Sequence, residues 1–169
     1  SIIYRIARAF AKVLKSKKVA VARDTRESSF ELSEYLVKGL MHEGVNVLDI
    51  GLAGTEEMYF ATSHFNCDGG IIVTASHNPK NYNGLKMVKS FSRPLDIKSE
   101  FLEIKRLAEE QGFGSKKIGA RVSIKNESRE AYVDKVISLI NIKRIRPLNI
   151  VVNCGNGTAG PTFDAIAKK

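Results

Sequence analysis

A single stretch near the middle of the chain concentrates the side chains that could do chemistry. It opens with an apolar run, residues 69–74, which predicts a strand buried on both faces. Ser76, His77 and Asn78 follow directly, and Lys86 comes a few residues later. Because ligands of α/β proteins bind at the carboxyl ends of strands, the loop after this strand is where a substrate is expected.

The residue types leave three interpretations of Ser76 open. Serine in a loop is most often a simple turn residue. Ser76 could instead be a nucleophile activated by His77, although adjacent side chains of an extended backbone point apart, which disfavours a direct pair. Third, Ser76 could carry a phosphoryl group whose charge is held by a lysine, by backbone amides and by a metal ion.

Proline and glycine positions predict a defined shape for this loop. Pro79 restricts the backbone of Asn78 to extended conformations. Asn83-Gly84 is a strong signal for a tight turn. The loop is therefore expected to be structured.

A strand after the turn would present Lys86 to one side of the sheet. Leu85 and Met87 share the other side, because successive side chains of a strand alternate. If the leucine side faces the core, the ammonium group of Lys86 could reach the mouth of the loop. A compact positive charge there suits a phosphate or a sugar hydroxyl.

Helical and strand-like patterns alternate along the chain, which predicts an α/β protein with a largely parallel sheet. The expected form is a three-layer α/β/α domain with a mixed, mostly parallel sheet, plus the start of a second similar domain. Helices are expected at residues 2–15, from 28 onward, and at 55–62, 97–110 and 132–140. Strands are expected at residues 19–22, 45–50, 69–74, 85–88, near 122 and at 148–152.

Two helix starts carry specific capping predictions. Ser28 and Glu31 have the spacing of a capping box, in which the two residues satisfy each other's backbone amides. Thr55 is expected to cap the helix that contains Glu56 and Glu57, whose charges suit a helix amino terminus.

The basic segment that ends at Pro147 is interpreted as a linker, which places a domain boundary near residue 145. Residues 1–145 form the first domain, and residues 146–169 begin a second α/β domain. The glycine-rich loop 153–157 repeats the strand–loop–helix arrangement found near residues 19–29. The second unit is too short to close a core, so the chain is expected to be a fragment of a larger protein.

Composition and charge narrow the class of protein. Of the 169 residues, 43% are hydrophobic and 27% charged, which is typical of a globular protein, and no apolar run approaches the ~20 residues of a membrane helix. The net charge of +9 would suit nucleic acid or an anionic small substrate. Basic residues are spread along the chain and do not interleave with aromatic ones, which favours the small substrate over nucleic acid.

The cysteines and the opening segment indicate a cytoplasmic location. Cys67 and Cys154 lie far apart without metal-ligand spacing, so neither a disulfide framework nor a zinc site is expected. The opening residues 1–18 have the spacing of an amphipathic helix, and not the solid apolar block of a targeting segment. No membrane association is predicted.

Several segments together resemble the α-D-phosphohexomutase family. Residues 74–79, TASHNP, followed by residues 82–86, YNGLK, resemble the family's phosphoserine loop in register. The segment 23–26, RDTR, resembles a second family motif, from which it departs by Ala22 in place of a glycine. Residues 155–157, GNG, resemble the start of the family's second domain.

The resemblance implies a four-domain enzyme in which a phosphoserine donates its phosphoryl group to a hexose monophosphate. A bisphosphorylated sugar forms, reorients and returns its other phosphate to the serine; glucose or mannose 1,6-bisphosphate would act as the activator. Ser76 would be the phosphoryl carrier and, through its phosphate, a ligand of Mg²⁺. Lys86 would handle the sugar hydroxyl proton or its charge, His77 would position the reacting groups, and Asn78 would shape the loop and contact substrate.

Parts of the family's machinery have no counterpart in these residues. An early arginine-containing segment, an aspartate-rich metal loop and the sugar-binding loops are expected in the remaining domains of the same protein. The chain by itself is therefore expected to be catalytically inert and to bind metal weakly.

Residues 51–60, GLAGTEEMYF, resemble the family's bacterial phosphomannomutases, which feed GDP-mannose synthesis. Tyr82 before Asn83-Gly84 also fits hexose mutases better than phosphoglucosamine mutases. The resemblance therefore implies interconversion of mannose 6-phosphate and mannose 1-phosphate. A phosphoglucomutase or bifunctional phosphohexomutase is the alternative, and a nucleic-acid or nucleotide binding module is a distant one.

Overall fold

The computed structural model describes residues 1–169. It contains six α-helices, six strands and three short helices of other types at Ser90–Ser92, Ile97–Phe101 and Ile142–Arg144. The helices are α1 (Ile2–Val13), α2 (Glu27–Met41), α3 (Thr55–His64), α4 (Leu102–Glu110), α5 (Lys125–Ser138) and α6 (Ala159–Ala167). The strands are β1 (Lys18–Arg23), β2 (Asn46–Leu52), β3 (Gly69–Val73), β4 (Leu85–Lys89), β5 (Arg93–Pro94) and β6 (Arg121–Ser123).

All six strands form one sheet in the order β5-β4-β3-β1-β2-β6. β1 lies in the middle and pairs in parallel with β2 and β3, and β6 pairs in parallel with β2. β4 and β5 are added antiparallel beyond β3. The loops after β1 and β3 therefore emerge side by side at the same edge, and this edge positions the site described below.

Helices cover both faces of the sheet, which confirms the three-layer α/β/α prediction. Side chains of β1 alternate between the faces: Val19 and Val21 join one buried cluster, and Ala20 and Ala22 join the other. The first cluster contains residues of α1, α2 and α4. The second contains residues of α3, with α5 packed beside it.

Two glycines permit the close approach of helices in this arrangement. A Cβ atom on Gly70 of β3 would overlap the Thr62 side chain of α3. A Cβ atom on Gly39 of α2 would lie 2.5 Å from the carbonyl oxygen of Tyr4 and 2.6 Å from the Cβ of Ala7, both in α1. Glycine at these positions therefore sets the spacing between layers and between neighbouring helices.

The capping prediction for α2 is wrong. The helix begins at Glu27, which places Ser28 inside its first turn. The residue before the helix is Arg26, and its amide donates to Oδ1 of Asp24 at 3.0 Å; no side chain caps the first turn through its backbone amides. A carboxylate at this position also suits the positive end of the helix dipole.

The cap of α3 also differs from the prediction. Gly54, and not Thr55, is the residue before the helix, and the carboxylate of Glu57 reaches back to the Gly54 amide at 2.8 Å. Glu57 is buried and forms an ion pair with Arg129 of α5 at 3.3 Å. Glu57 therefore caps the first turn of α3 and connects α3 to α5 through its ion pair.

The segment after α5 contains a short 3-10 helix, Ile142–Arg144, and then α6, which packs against α5. The strand predicted at residues 148–152 does not form, because these residues pair with no other strand and Val151 is 98% exposed. A strand whose backbone groups find no partner gains nothing over hydration. The domain boundary near residue 145 stays a prediction.

None of the six helices combines the length and the apolar character that a membrane crossing requires.

Candidate active site

A polar cavity of about 700 Å³ lies where the loops after β1 and β3 meet. None of its twelve lining residues is hydrophobic. Residues 24–27 form one side, and Ser76 and Asn78 of the loop after β3 form another. Residues 156–158 of the later glycine-rich loop complete it, and Thr25 donates from Oγ1 to the carbonyl oxygen of Asn156 at 2.6 Å. The cavity therefore brings together the loop after β1, the loop after β3 and the later glycine-rich loop.

Ser76 is exposed to this cavity and has an unusual backbone conformation. Its φ angle is 54°, in the left-handed region that residues other than glycine seldom adopt. Its amide donates to the Oγ1 atom of Thr74 at 3.0 Å. A non-glycine residue held in this region costs about 1–3 kcal/mol, so the surrounding contacts must enforce it.

The loop that carries Ser76 has its own hydrogen bonds, but its turns lie at residues 76–77 and 80–81, and the tight turn predicted at Asn83-Gly84 does not form. Both the amide and the side-chain Nδ2 of Asn78 donate to the carbonyl oxygen of Ala75, at 3.1 Å and 2.8 Å. The Tyr82 amide donates to the carbonyl oxygen of Pro79 at 3.0 Å. Asn78 therefore closes the turn directly after Ser76.

Arg26 holds the loop from the side of β1. Its guanidinium group donates to four carbonyl oxygens at 2.7 to 3.1 Å; they belong to Ser76, Asn78, Pro79 and Tyr82. Its Nε atom lies 3.2 Å from Oδ2 of Asp24. Arg26 is not among the residues that the sequence predicts for the site. The available signal is its position in the 23–26 segment, directly after a strand.

Asp24 and Asn83 connect the two loops to the first turn of α2. The Oδ1 atom of Asp24 accepts the hydroxyl of the buried Ser29. The Nδ2 atom of Asn83 donates to the hydroxyl oxygens of both Ser28 and Ser29 at 2.9 Å. The shape of the site is therefore fixed through α2 as well as through the loops themselves.

A family model described as "Phosphoglucomutase/phosphomannomutase, alpha/beta/alpha domain I" matches residues 1–114 of this chain. The matched segment includes β1, β3 and both loops that line the cavity. The chain belongs to this family. Membership confirms the resemblance to the phosphohexomutases that the TASHNP and RDTR segments carry.

Relatives and solved structures agree with the phosphohexomutase assignment. The chain is 47% identical over 166 residues to the phosphomannomutase of Salmonella montevideo, covering 98% of this chain and 36% of that protein. It is 38% identical over 164 residues to a Xanthomonas campestris protein named "Phosphohexose mutases", covering 96% and 36%. The structure of a phosphoglucomutase/phosphomannomutase family protein from Burkholderia thailandensis superimposes with a TM-score of 0.82 at 32% identity, covering 98% and 38%. The chain thus spans little more than a third of these proteins.

The other two predicted site residues of the phosphohexomutase loop lie away from the cavity wall. His77 is exposed and does not line the cavity. Lys86 pairs with Ile72 in the antiparallel register of β3 and β4. It lies on the face opposite Leu85 and Met87, which pack against the first core cluster, as the alternation predicts. The roles of His77, Asn78 and Lys86 toward substrate stay predictions.

No three His, Cys, Asp or Glu side chains lie together in a way that could hold a metal ion. Asp24 lines the cavity, but its carboxylate already accepts from Ser29 and from the backbone and side chain of Arg26. Binding of Mg²⁺ through a phosphate on Ser76 stays a prediction.

A second cavity, of about 570 Å³, lies at the opposite edge of the sheet, where α2 ends. Lys38, Lys116 and Arg8 contribute positive charge to it, and the Tyr4 hydroxyl lies 2.7 Å from Nδ1 of His42. Burial, aided by these three cations, lowers the pKa of His42. Part of the net positive charge therefore gathers at a distance from Ser76.

Proposed function

We propose that this chain supplies the phosphoserine-bearing domain of a phosphomannomutase, an isomerase that interconverts mannose 6-phosphate and mannose 1-phosphate. The observation that carries the proposal is the placement of Ser76: exposed, in a left-handed turn, and in the wall of a wholly polar cavity at the carboxyl edge of the sheet. A simple turn residue needs no such cavity. A sugar phosphate could not reach the hydroxyl of a serine that is buried in the protein.

In the proposed reaction Ser76 exchanges its phosphoryl group with the sugar. The bond from phosphorus to Oγ of Ser76 breaks as a bond to a hydroxyl oxygen of the hexose monophosphate forms. The hydroxyl proton passes through a basic side chain to the departing serine oxygen, which restores the Ser76 hydroxyl that later accepts the other phosphoryl group of the bisphosphorylated sugar. Lys86 is proposed to take that proton or to offset the charge that its loss leaves on the sugar oxygen. His77 is proposed to position the reacting groups. Glucose or mannose 1,6-bisphosphate would load the serine initially.

Phosphoryl transfer depends on alignment and charge neutralisation more than on covalent chemistry. The cavity provides both kinds of group, because Lys80 adds an ammonium to its wall and Asn78 adds an amide beside Ser76. Mg²⁺ would add positive charge at the phosphate when bound. Its remaining ligands would come from other domains of the full-length protein, which we propose also supply the sugar-binding groups. The proposed location is the cytoplasm.

The preference for mannose rests on likeness to relatives. Residues 51–60 and the 47% identity to the Salmonella protein support it. The Xanthomonas relative, whose name covers phosphohexose mutases in general, favours phosphoglucomutase or bifunctional activity as the second candidate. A coupled assay that compares turnover of mannose 1-phosphate and glucose 1-phosphate by the full-length protein separates the two.

The central test replaces Ser76 in the full-length protein. Peptide mass spectrometry after incubation with glucose 1,6-bisphosphate should find phosphate on Ser76 of the parent. Ser76→Ala should remove that phosphate and reduce mutase turnover to background. Ser115→Ala is the matched control, because Ser115 is exposed in a distant loop and should keep both properties. Parent-level turnover in Ser76→Ala, or phosphate on another residue, would disprove the proposal.

A further inference from the structure

We infer that Arg26 is a positioning residue for phosphoryl transfer, which acts by holding the backbone of the Ser76 loop and does not bind substrate. The inference rests on the proposed function for its catalytic consequence. The control of loop geometry by the guanidinium group of Arg26 follows from the contacts of this residue and does not depend on the proposed function. These contacts link residue 26 to carbonyl groups 50 to 56 positions further along the chain.

The hydrogen-bonding capacity of Arg26 is fully used by protein groups. A guanidinium group has five N–H donors and no acceptor. Nη1 donates to Pro79 and Tyr82, and Nη2 donates to Ser76 and Asn78, so four donors are used by carbonyl oxygens. The Nε–H faces Asp24 at 3.2 Å. No donor is left for a phosphate, although Arg26 lies in the cavity wall.

These hydrogen bonds restrict the backbone of the loop. Four carbonyl groups between residues 76 and 82 must converge on a single planar group, which restricts the peptide planes that carry them. In a trans peptide the N–H points opposite to the C=O. The amides of His77 and Lys80, which share peptide planes with the carbonyls of Ser76 and Pro79, therefore point away from Arg26, and neither donates to a protein acceptor.

This loop geometry favours a negatively charged group beside Ser76. Arg26 thus turns the negative ends of the loop dipoles toward itself and leaves the N–H of His77, next to Ser76, without a protein acceptor. A free backbone N–H group at a turn favours an anion. The same contacts hold the carbonyl of Ser76, whose φ of 54° requires enforcement from its surroundings. Charge alone would not do this, since it fixes no peptide plane.

The test replaces Arg26 by lysine in the full-length protein. Lysine keeps the positive charge but offers one nitrogen, which cannot reach four carbonyl groups at once. The matched control is Arg106→Lys on α4, where the arginine pairs with the exposed Glu103 and Glu110 far from the loop. Turnover, KM for mannose 1-phosphate and single-turnover transfer from phosphorylated Ser76 would be measured for each.

Arg26→Lys should lower kcat and the single-turnover rate by roughly ten- to a hundredfold, because a small misplacement of reacting groups has effects of this size. KM should stay within about threefold of the parent, as expected for a residue that does not touch substrate. Arg106→Lys should match the parent in every value. A parent-like rate in Arg26→Lys, or a raised KM with unchanged kcat, would overturn the inference.

Hydrogen exchange of the loop amides tests the structural part independently of catalysis. The amides of Asn78 and Tyr82 should exchange roughly tenfold faster in Arg26→Lys than in the parent, and at the parent rate in Arg106→Lys. Unchanged exchange in Arg26→Lys would refute the role of Arg26 even if turnover fell. Absence of phosphate on Ser76 in the parent would instead refute the proposed function, and exchange would still decide the inference.

A second variant keeps the inference testable if Arg26→Lys does not fold, as judged by circular dichroism. Asp24→Asn retains Arg26 and its carbonyl partners but weakens the contact that orients the guanidinium through Nε. Asp24→Asn should have the same effects as Arg26→Lys but smaller ones: kcat should fall several-fold, KM should stay at the parent value and the loop amides should exchange faster. Parent-like kcat and exchange in Asp24→Asn would count against the inference.

Discussion

The side-chain amide of Asn83 donates to the hydroxyl oxygen of Ser29 across 2.9 Å, which ties the loop that carries Ser76 to the first turn of α2. Ser29 is fully buried, and its hydroxyl donates in turn to the carboxylate of Asp24. A chain of three polar side chains thus runs from the loop after β3 to the loop after β1. Buried polar networks of this kind fix geometry when every member is satisfied.

Removing the buried hydroxyl should destabilise the protein. Ser29→Ala removes one of the donors to the Asp24 carboxylate and one of the two serine acceptors of Asn83. Loss of a buried partner costs about 1–3 kcal/mol, so the free energy of unfolding should fall by about that amount. Urea denaturation followed by circular dichroism measures the change.

The adjacent serine provides the control for this experiment. Ser28 accepts from the same Asn83 amide at 2.9 Å, but it is exposed, so water can replace the lost bond. Ser28→Ala should therefore change the free energy of unfolding by less than about 0.5 kcal/mol. Equal losses in Ser28→Ala and Ser29→Ala would show that burial does not decide the strength of this contact.

The left-handed backbone of Ser76 should be visible in the relative stability of two variants that both lack its hydroxyl. Glycine adopts a φ of 54° without the steric penalty that alanine has. Ser76→Gly should therefore be more stable than Ser76→Ala by about 1 kcal/mol, after allowance for the greater freedom of unfolded glycine. Thermal and urea unfolding would measure the order, which would be reversed if the residue prefers a φ below zero.

Breaking the buried ion pair between Arg8 and Glu43, at the other edge of the sheet, should strongly destabilise the protein. Nε of Arg8 lies 2.6 Å from the Glu43 carboxylate, and the two side chains are only 6% and 7% exposed. Glu43→Gln would leave the buried Arg8 without its counter-charge, which should cost about 3 kcal/mol. The free energy of unfolding in urea measures the effect.

An exposed pair on α4 serves as the comparison. Lys105 and Glu109 lie 4.0 Å apart with both side chains more than half exposed. Because solvent screens such pairs, Glu109→Gln should cost less than about 0.5 kcal/mol. If Glu43→Gln lowered the free energy of unfolding by no more than Glu109→Gln does, water would have to reach the Arg8–Glu43 pair in solution.

The two cysteines should differ sharply in reactivity. Burial raises the pKa of the Cys67 thiol to about 11, and the nearby carboxylate of Asp68 acts in the same direction. Cys154 is half-buried. Iodoacetamide at pH 8 should therefore label Cys154 and leave Cys67 largely unmodified, because the thiolate is the reacting form. Mass spectrometry would show this, and labelling of both in urea would confirm that folding protects Cys67.

Cys67 should also make stability depend on alkaline pH. Its folded pKa of about 11 lies above the ordinary value of 9.0, so between these values the folded state retains a proton that the unfolded state has lost. The stabilisation is complete below pH 9 and is lost as pH rises toward 11. Unfolding of the parent and Cys67→Ala would be compared at pH 8 and pH 10.5. The gap between them should shrink at the higher pH, and a constant gap would contradict the shift.

The sequence by itself determined the layers of the fold and the position of the site loop. Alternation in β1, with valines at 19 and 21 and alanines at 20 and 22, reflects burial of both faces of a central strand. A buried strand before Ser76 requires that the loop emerge at the carboxyl edge of the sheet. These features follow from local patterns of hydrophobic and polar residues, which can be read directly from the sequence.

Only the tertiary structure decided which residues hold that loop. Arg26 binds carbonyl oxygens of residues 76 to 82, and backbone carbonyls look the same in every sequence, so no pattern of residue types could reveal the contact. Ser28 and Ser29 are likewise equivalent as letters, and the packing of α2 against the sheet buries only the second. Contacts between groups some fifty residues apart depend on how the strands are ordered in space, which local propensity does not encode.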